Sequence, residues 1–308
     1  MPSSEISVIP PTVPRYDRPR EEAPPVPIGE IVPFDRSNSA IADSPLSDGS
    51  RALLRGLLQL GTVRVFPGGG LGIEYGSLLK TAARPEFVAE HVHEAARHLR
   101  EQRVDLLLVP GMSGYPIGSM YALAAGIPAL LLKKTLLRDA DPQAYPAGAF
   151  VIPSYTGDGD VVMHADPVAA MDIVSAIFAR QVNAQAHLGA LDIDLRVGGA
   201  DDIIDKSTMS QAVGESALQI GESALRAAIA AHRVQSGETR PISTRVSVVA
   251  WVTPLIKSYN RGYEHLQRAF GLHPFAGLDI AAISLHPPAI DVAGIGAIAF
   301  AGATENRP

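Results

Sequence analysis

The segment VDLLLVPGMSGYPIGSMYALAAGIPALLLKK, from Val104 to Lys134, constrains this chain more than any other. Apart from Asp105, Val104–Val109 is an apolar run without alternation, the pattern of a strand covered on both faces. It runs into Pro110-Gly111-Met112-Ser113-Gly114, and a small-residue helix follows from about Ile117 to Ala125. Gly126 stops that helix, and Ile127–Leu132 forms a second buried strand ending in Lys133-Lys134. A strand, a helix and a strand over this length make a βαβ unit with a right-handed crossover. Ligands of such sheets gather off the carboxyl ends of the strands. The glycine loop and the lysine pair both fall there.

The remaining segments fit the same architecture, an α/β fold with a central, mostly parallel sheet flanked by helices. RALLRGLLQLG, from Arg51, has helical spacing and a glycine stop. TVRVFPGGGLGIEYGSLLK reads as strand, glycine-rich turn and strand. It departs from the dinucleotide fingerprint because Tyr75 stands where a third glycine belongs. Pro85 opens a helix carrying His91, His93 and His98, read as solvated histidines because i, i+2 spacing points His91 and His93 apart. Residues 135–152 read as a polar loop able to serve as a lid. A hairpin turning at Thr156–Asp160 comes next, then a helix from Asp166. A weak strand leads to Asp201-Asp202, and a helix starts near Ser210, where GESAL at 214 and 221 sets Ala217 and Ala224, with Leu218 and Leu225, on one stripe. Strand Arg245–Val252, helix Tyr259–Phe270 and strand Leu278–Ser284 close the pattern.

The 308 residues, 46% of them hydrophobic, suffice for a sizeable core. A net charge of −6 argues against a general nucleic-acid or anionic-membrane surface. The absence of cysteine excludes disulfides, thiolate nucleophiles and Cys-based metal sites. No run approaches the roughly 20 apolar residues of a membrane span, and the N-terminus has no apolar signal-peptide core, so a cytoplasmic protein is expected. Residues 1–50 are Pro-rich and aperiodic and read as a flexible extension, with a partner-docking arm as the alternative. The folded domain is expected over 51–308.

The second stretch with chemical content is Asp201-Asp202-Ile203-Ile204-Asp205-Lys206-Ser207-Thr208. Adjacent carboxylates at a strand end can accept hydrogen bonds from vicinal sugar hydroxyls, or help hold a hydrated Mg2+ ion. The turn leads into a helix N-terminus, whose free N–H groups and dipole favour phosphate. Lys206, Ser207 and Thr208 add a charge and two hydroxyls. Carboxylates for hydroxyls beside amides for phosphate describe a sugar-phosphate site. Asp, Ser and Thr before a helix are equally ordinary N-caps, and that reading stays open.

With these residues in view, the chain resembles the type I phosphoribosyltransferase family. DDIIDKSTM has the layout of that family's phosphoribosyl pyrophosphate (PRPP) motif: two acidic residues, two apolar ones and a turn leading to a helix. VDLLLVPGMSGYPIGSMYALAAGIPALLLKK resembles the unit carrying the family's pyrophosphate loop. VIPSYTGDGDVVMHADP resembles the intervening strand pair of xanthine-type members, and VVAWVTPLIKSYNRGYEHLQRAFGL the C-terminal strand and helix of orotate-type ones. The resemblance spans roughly residues 60–285 in the family's order.

It implies a parallel sheet with a small hood subdomain, and transfer of the phosphoribosyl group from PRPP to a nitrogenous acceptor with release of pyrophosphate. Asp201 and Asp202 would hold the ribose hydroxyls, directly or through Mg2+. Lys206, Ser207 and Thr208 would cradle the 5′-phosphate. Gly111, Met112, Ser113 and Gly114 would bind pyrophosphate with Lys133 and Lys134. Asp205 would deprotonate the acceptor, with Asp201 and Asp202 completing the catalytic set, and Tyr155 or Tyr75 would stack on a planar acceptor, purine-like or a secondary metabolite. A homodimer is implied by the resemblance alone.

The chain departs from the family where Lys206-Ser207 replace the usual Thr-Gly or Ala-Gly, and where Arg196–Ala200 is poor in apolar residues for a central strand. Those departures leave a non-catalytic PRPP- or nucleotide-binding regulator as the alternative function. An unrelated α/β nucleotide hydrolase with an ordinary helix cap at 201–208 is a third.

Overall fold

The structure, a computed structural model, describes residues 31–33, 40–41, 46–65, 71–74, 83–136, 145–153, 160–206, 208–285 and 288–293. Two short strands come first, β1 (Ile31–Pro33) and β2 (Ala40–Ile41), inside the stretch whose composition reads as an extension. Helix α1 (Asp48–Leu60) begins ahead of Arg51 because the Ser47 side chain accepts from the Ser50 N–H and caps it. β3 (Thr62–Val65) and β4 (Leu71–Glu74) form an antiparallel hairpin, and β1 joins β3 to complete a separate three-stranded sheet. Val63 and Ile73 of this small sheet reach into the main core.

The main sheet is built from β5 (Leu106–Pro110), β6 (Ala129–Leu136), β7 (Phe150–Pro153), β8 (Asp160–His164), β9 (Leu191–Ala200), β10 (Ile203–Ile204), β11 (Ile242–Lys257), β12 (Phe275–Leu285) and β13 (Pro288–Ala293), with β2 at its edge. Its order is β2-β13-β12-β11-β9-β5-β6-β8-β7, and β10 pairs with β11 off that path. The run β12-β11-β9-β5-β6 is parallel throughout; the β7–β8 hairpin and β13 add the antiparallel edges.

The helices α2 (Pro85–Glu101), α3 (Tyr115–Ala125), α4 (Pro167–Ala184), α5 (Thr208–Ser236) and α6 (Tyr263–Phe270) complete the layers. On one face of the sheet, α1, α2 and α3 bury Leu53, Val88 and Ile117 against Leu107 and Val109 of β5. On the other, α4, α5 and α6 bury Phe178, Val213 and Leu266 against Leu106 and Leu108. β5 therefore feeds two cores with alternate side chains, which is why its sequence is apolar without a break.

β9 is a full-length central strand where composition suggested a weak one. Leu191, Ile193, Leu195 and Val197 bury into one core and alternate with Asp192, Asp194 and Arg196, which turn to the other face. Its glycines answer to packing. A Cβ on Gly199 would lie 2.1 Å from a ring atom of Trp251, which fills that space from β11. The GESAL echo has a similar cause: Ala217, Ala224 and Leu225 are buried, and a Cβ on Gly221 would meet Val246 at 2.7 Å.

One histidine expectation is corrected. His91 is fully buried rather than solvated, with Nε2 2.7 Å from the Tyr121 hydroxyl and its ring stacked on Phe275. Burial holds it neutral and pushes its pKa down to about 3, opposed only by the backbone of Thr253. The signal was in the helix itself, since Phe87, Val88, His91, Val92, Ala95 and Leu99 form one buried stripe at helical spacing. Among the described residues, no helix is long and apolar enough to cross a membrane.

Candidate functional site

Counted along the chain, the five parallel strands stand in the order 2-1-3-4-5 from β6 to β12. The chain leaves β5 through α3 on one face and leaves β9 through α5 on the other. Neighbouring strands whose outgoing helices part to opposite faces leave a crevice at their carboxyl ends, and that switch point is where open α/β sheets bind ligands. The glycine loop after β5 and the acidic pair after β9 therefore sit side by side, although about 90 residues separate them in sequence. A Cβ on Gly114 would lie 2.8 Å from the Pro110 carbonyl oxygen and 3.1 Å from Asp201 Oδ1. Any larger residue there would wedge the two loops apart.

The loop after β5 is tied to its neighbour strand by backbone. The Gly111 N–H donates to the Leu132 carbonyl at 3.1 Å, and the Tyr115 hydroxyl donates to the same oxygen. The Gly111–Met112 peptide is cis, and Met112 is exposed. Gly114 precedes the first turn of α3 and accepts there from the Gly118 N–H at 2.8 Å. Burial raises the Tyr115 phenol above its usual range, and the nearby Lys133 ammonium partly offsets this.

Lys133 and Lys134 behave differently because successive strand residues point to opposite faces. Lys133 is the one whose charge reaches Tyr115. Its Nζ also donates to Asp166 Oδ2 at 2.8 Å in an exposed pair. Asp166 caps α4 through the Val168 and Ala169 N–H groups. The Lys133 bond, then those two amides, hold its carboxyl below the usual carboxylate range. Lys134 is exposed.

Past β9, Asp201 and Asp202 are both buried, and Asp201 Oδ1 accepts from the Asp202 N–H at 2.8 Å. Ile203 and Ile204 then pair with Leu255 and Ile256 of β11. Asp205 follows, with Oδ2 2.9 Å from Lys257 Nζ and Oδ1 accepting from the Asn260 side-chain amide. Lys206 precedes the start of α5 at Thr208. The structure thus brings the 111–114 loop beside Asp201 at Gly114, with Asp202, Asp205, Lys206 and Thr208 following Asp201 in the chain. Ser207, Tyr75, Tyr155 and residues 137–144 of the expected lid lie outside the described residues.

Sequence reasoning missed Lys257, Asn260 and Tyr115. A signal existed for Lys257, which follows an apolar run in β11 as Lys133 follows Leu130–Leu132 in β6. Among the described residues no group of three His, Cys, Asp or Glu side chains could hold a metal ion. Two adjacent carboxylates still suit Mg2+, which is commonly held by one or two carboxylates together with substrate phosphates.

No protein-family model matches the chain, and no curated protein matches it. Among solved structures, the chain is similar to adenine phosphoribosyltransferases. That of Thermoanaerobacter pseudethanolicus is 15% identical, with a TM-score of 0.43, over 72% of this chain and 97% of its own. The Saccharomyces cerevisiae enzyme, crystallised with adenine and an imino-altritol bisphosphate, is 14% identical with a TM-score of 0.45, over 75% and 98% of the two chains. That of Rhodothermus marinus is 16% identical with a TM-score of 0.45, over 75% and 99%. Likeness at this level assigns no residue a role.

Proposed function

We propose that this chain transfers the 5-phosphoribosyl group of PRPP to a nitrogenous acceptor and releases pyrophosphate. The observation supporting this is the close approach of the Asp201 carboxylate to Gly114 at the switch point, where an added Cβ would lie 3.1 Å from Asp201 Oδ1. It sets a loop suited to diphosphate beside carboxylates suited to a ribose. In this reading the amides of Met112–Gly114, with Lys133, receive the pyrophosphate group, while the Gly111 N–H stays bonded to the Leu132 carbonyl. Asp201 and Asp202 accept hydrogen bonds from the 2′- and 3′-hydroxyls. Lys206, the Thr208 hydroxyl and the first-turn N–H groups of α5 receive the 5′-phosphate.

In the reaction, a ring-nitrogen lone pair forms a bond to C1′ as the C1′–oxygen bond breaks and its electrons leave with pyrophosphate. The acceptor's N–H proton departs to a base or to water. Positive charge gathers at C1′ in the transition state, and negative charge on the leaving group, where fixed amides and Lys133 stabilise it. Asp201 and Asp202 would hold Mg2+, which supplies further positive charge to the leaving group.

Asp205 stands differently from the expected base. Both of its oxygens already accept bonds, one from an ammonium, so we assign it to holding the turn rather than to taking a proton. That occupancy favours one second reading, a PRPP-binding regulator of the same architecture without turnover.

The deciding experiment incubates the protein with PRPP, Mg2+ and a panel of nitrogenous bases led by purines, and follows pyrophosphate release. Release dependent on one base supports the transferase. Saturable PRPP binding with no release across the panel supports the regulator, and absence of PRPP binding overturns both.

A further inference from the structure

The segment Lys257–Asn260 touches the proposed sugar-phosphate turn from behind. Lys257, the last residue of β11, is 4% exposed and directs its Nζ to Asp205 Oδ2 at 2.9 Å. Asn260, at the end of the 3₁₀ turn Ser258–Asn260, donates its side-chain amide to the other oxygen of the same carboxylate. Asp205 lies in the middle of the turn, three residues beyond Asp202 and three before Thr208. A carboxylate gripped at both oxygens has its plane fixed, and the backbone that carries it is fixed as well.

The far side of the segment is anchored too. The Ser258 hydroxyl donates to the Ile280 carbonyl at 3.3 Å, and Asp279 of β12 lies buried beside it. Burial raises the Asp279 carboxyl, and its side-chain and backbone contacts with Ser258 partly offset that. β10 pairs with β11 at Ile203 and Ile204, the residues just before Asp205. The turn is thus held to the β11–β12 pair by two ladder positions and by the Asp205 carboxylate. A buried ammonium gives such a grip force, because separating it from its carboxylate strands a charge away from water.

We infer that Lys257 and Asn260 are positioning residues that hold the 201–208 turn, before any ligand arrives, in the geometry that receives a ribose phosphate. This rests on reading 201–208 as the sugar-phosphate half of the site. Neither side chain need touch substrate; both act through Asp205. The glycine loop after β5 has its own anchor at Leu132 and does not depend on this grip. The two halves of the site should therefore respond differently when it is removed.

The test compares wild type with Lys257→Met, Lys257→Arg and Asn260→Ala in two measurements. The first is amide hydrogen exchange over residues 203–210 without ligand. The second is calorimetric affinity for PRPP and, separately, for inorganic pyrophosphate, both with Mg2+. Losing a hydrogen bond to a charged group should speed exchange and weaken PRPP by about tenfold in Lys257→Met, with pyrophosphate affinity changed less than about twofold. Asn260→Ala should show the same pattern at about threefold, and Lys257→Arg should restore most of it. The partly exposed Asn260 keeps the test intact if Lys257→Met fails to fold. Unchanged exchange in the folded variants overturns the inference, as does a parallel fall in PRPP and pyrophosphate affinity. Failure of the wild type to bind PRPP overturns the sugar-phosphate reading instead, and the exchange data still decide whether the grip orders the turn.

Discussion

The two strand-end loops that meet at the switch point are built on opposite principles. The loop after β5 carries glycines and no charge, and backbone and a phenol hold it to Leu132. The turn after β9 carries three carboxylates and a lysine, and a half-buried ion pair holds it to β11. The first offers donors that cannot be titrated and space that any side chain would fill. The second offers acceptors whose placement depends on charge. A diphosphate, already rich in negative charge, suits the first; neutral sugar hydroxyls suit the second. One bipartite ligand carrying both groups fits the pair better than two copies of either loop would.

The largest effect is expected at the acidic turn. Changing Asp201 and Asp202 together to Asn should abolish PRPP binding, leave pyrophosphate binding measurable and barely move the melting temperature. A collapse in melting temperature instead would mark the pair as helix-capping groups, which breaks the comparison on its acidic side.

Gly114→Val should come next. The added carbons meet the Pro110 carbonyl and Asp201 Oδ1, so both halves should weaken together, by about tenfold or more. Retained affinity for both ligands would show that the loops do not share one ligand.

Acid stability probes the core rather than the site, through His91. Its pKa falls from an unfolded value near 6.5 to about 3 in the fold, so below pH 6.5 the unfolded chain binds the extra proton. Stability from the neutral imidazole is present above that pH and declines by roughly 1.4 kcal/mol per pH unit toward pH 3. Replacing both partners, as His91→Leu with Tyr121→Phe, should flatten the thermal-melt profile across that window. An unchanged slope would show that other groups govern it.

The smallest effect separates the two lysines. Lys133→Ala should weaken pyrophosphate a few-fold, more at low salt, while Lys134→Ala should do less, because strand alternation turns it away. Equal losses would contradict the assignment of Lys133 to the loop.

The centre of the sheet was readable from sequence because β5 is buried on both faces. Leu106–Val109 leaves little choice of structure, whereas the run expected as a second buried strand, Ile127–Leu132, is buried on one face only, at Leu130 and Leu132, with Leu131 37% exposed on the other. β9 was harder to read. Its polar residues face away from the apolar core, and Gly199 looks like a strand breaker until Trp251 is seen lying across it. Two strands inside residues 31–41 were unreadable because so short a strand is defined by its partner, not by its own periodicity.

At the site, the glycines and the acidic pair were readable as candidate binding groups, with helix capping as the other use of the acidic pair. Their contact was not, because adjacency of β5 and β9 is a property of strand order. The grip on Asp205 lay further out of reach. It joins residues about 50 apart, and nothing local in Ser258–Asn260 announces that its last side chain reaches a carboxylate.

The central claim is that the switch point of this sheet is a single site for PRPP. Isothermal titration of PRPP into the wild-type protein with Mg2+ tests it most directly. One saturable site per chain, with inorganic pyrophosphate competing for it, is the predicted result. No saturable heat, or PRPP binding that pyrophosphate does not displace, would contradict it.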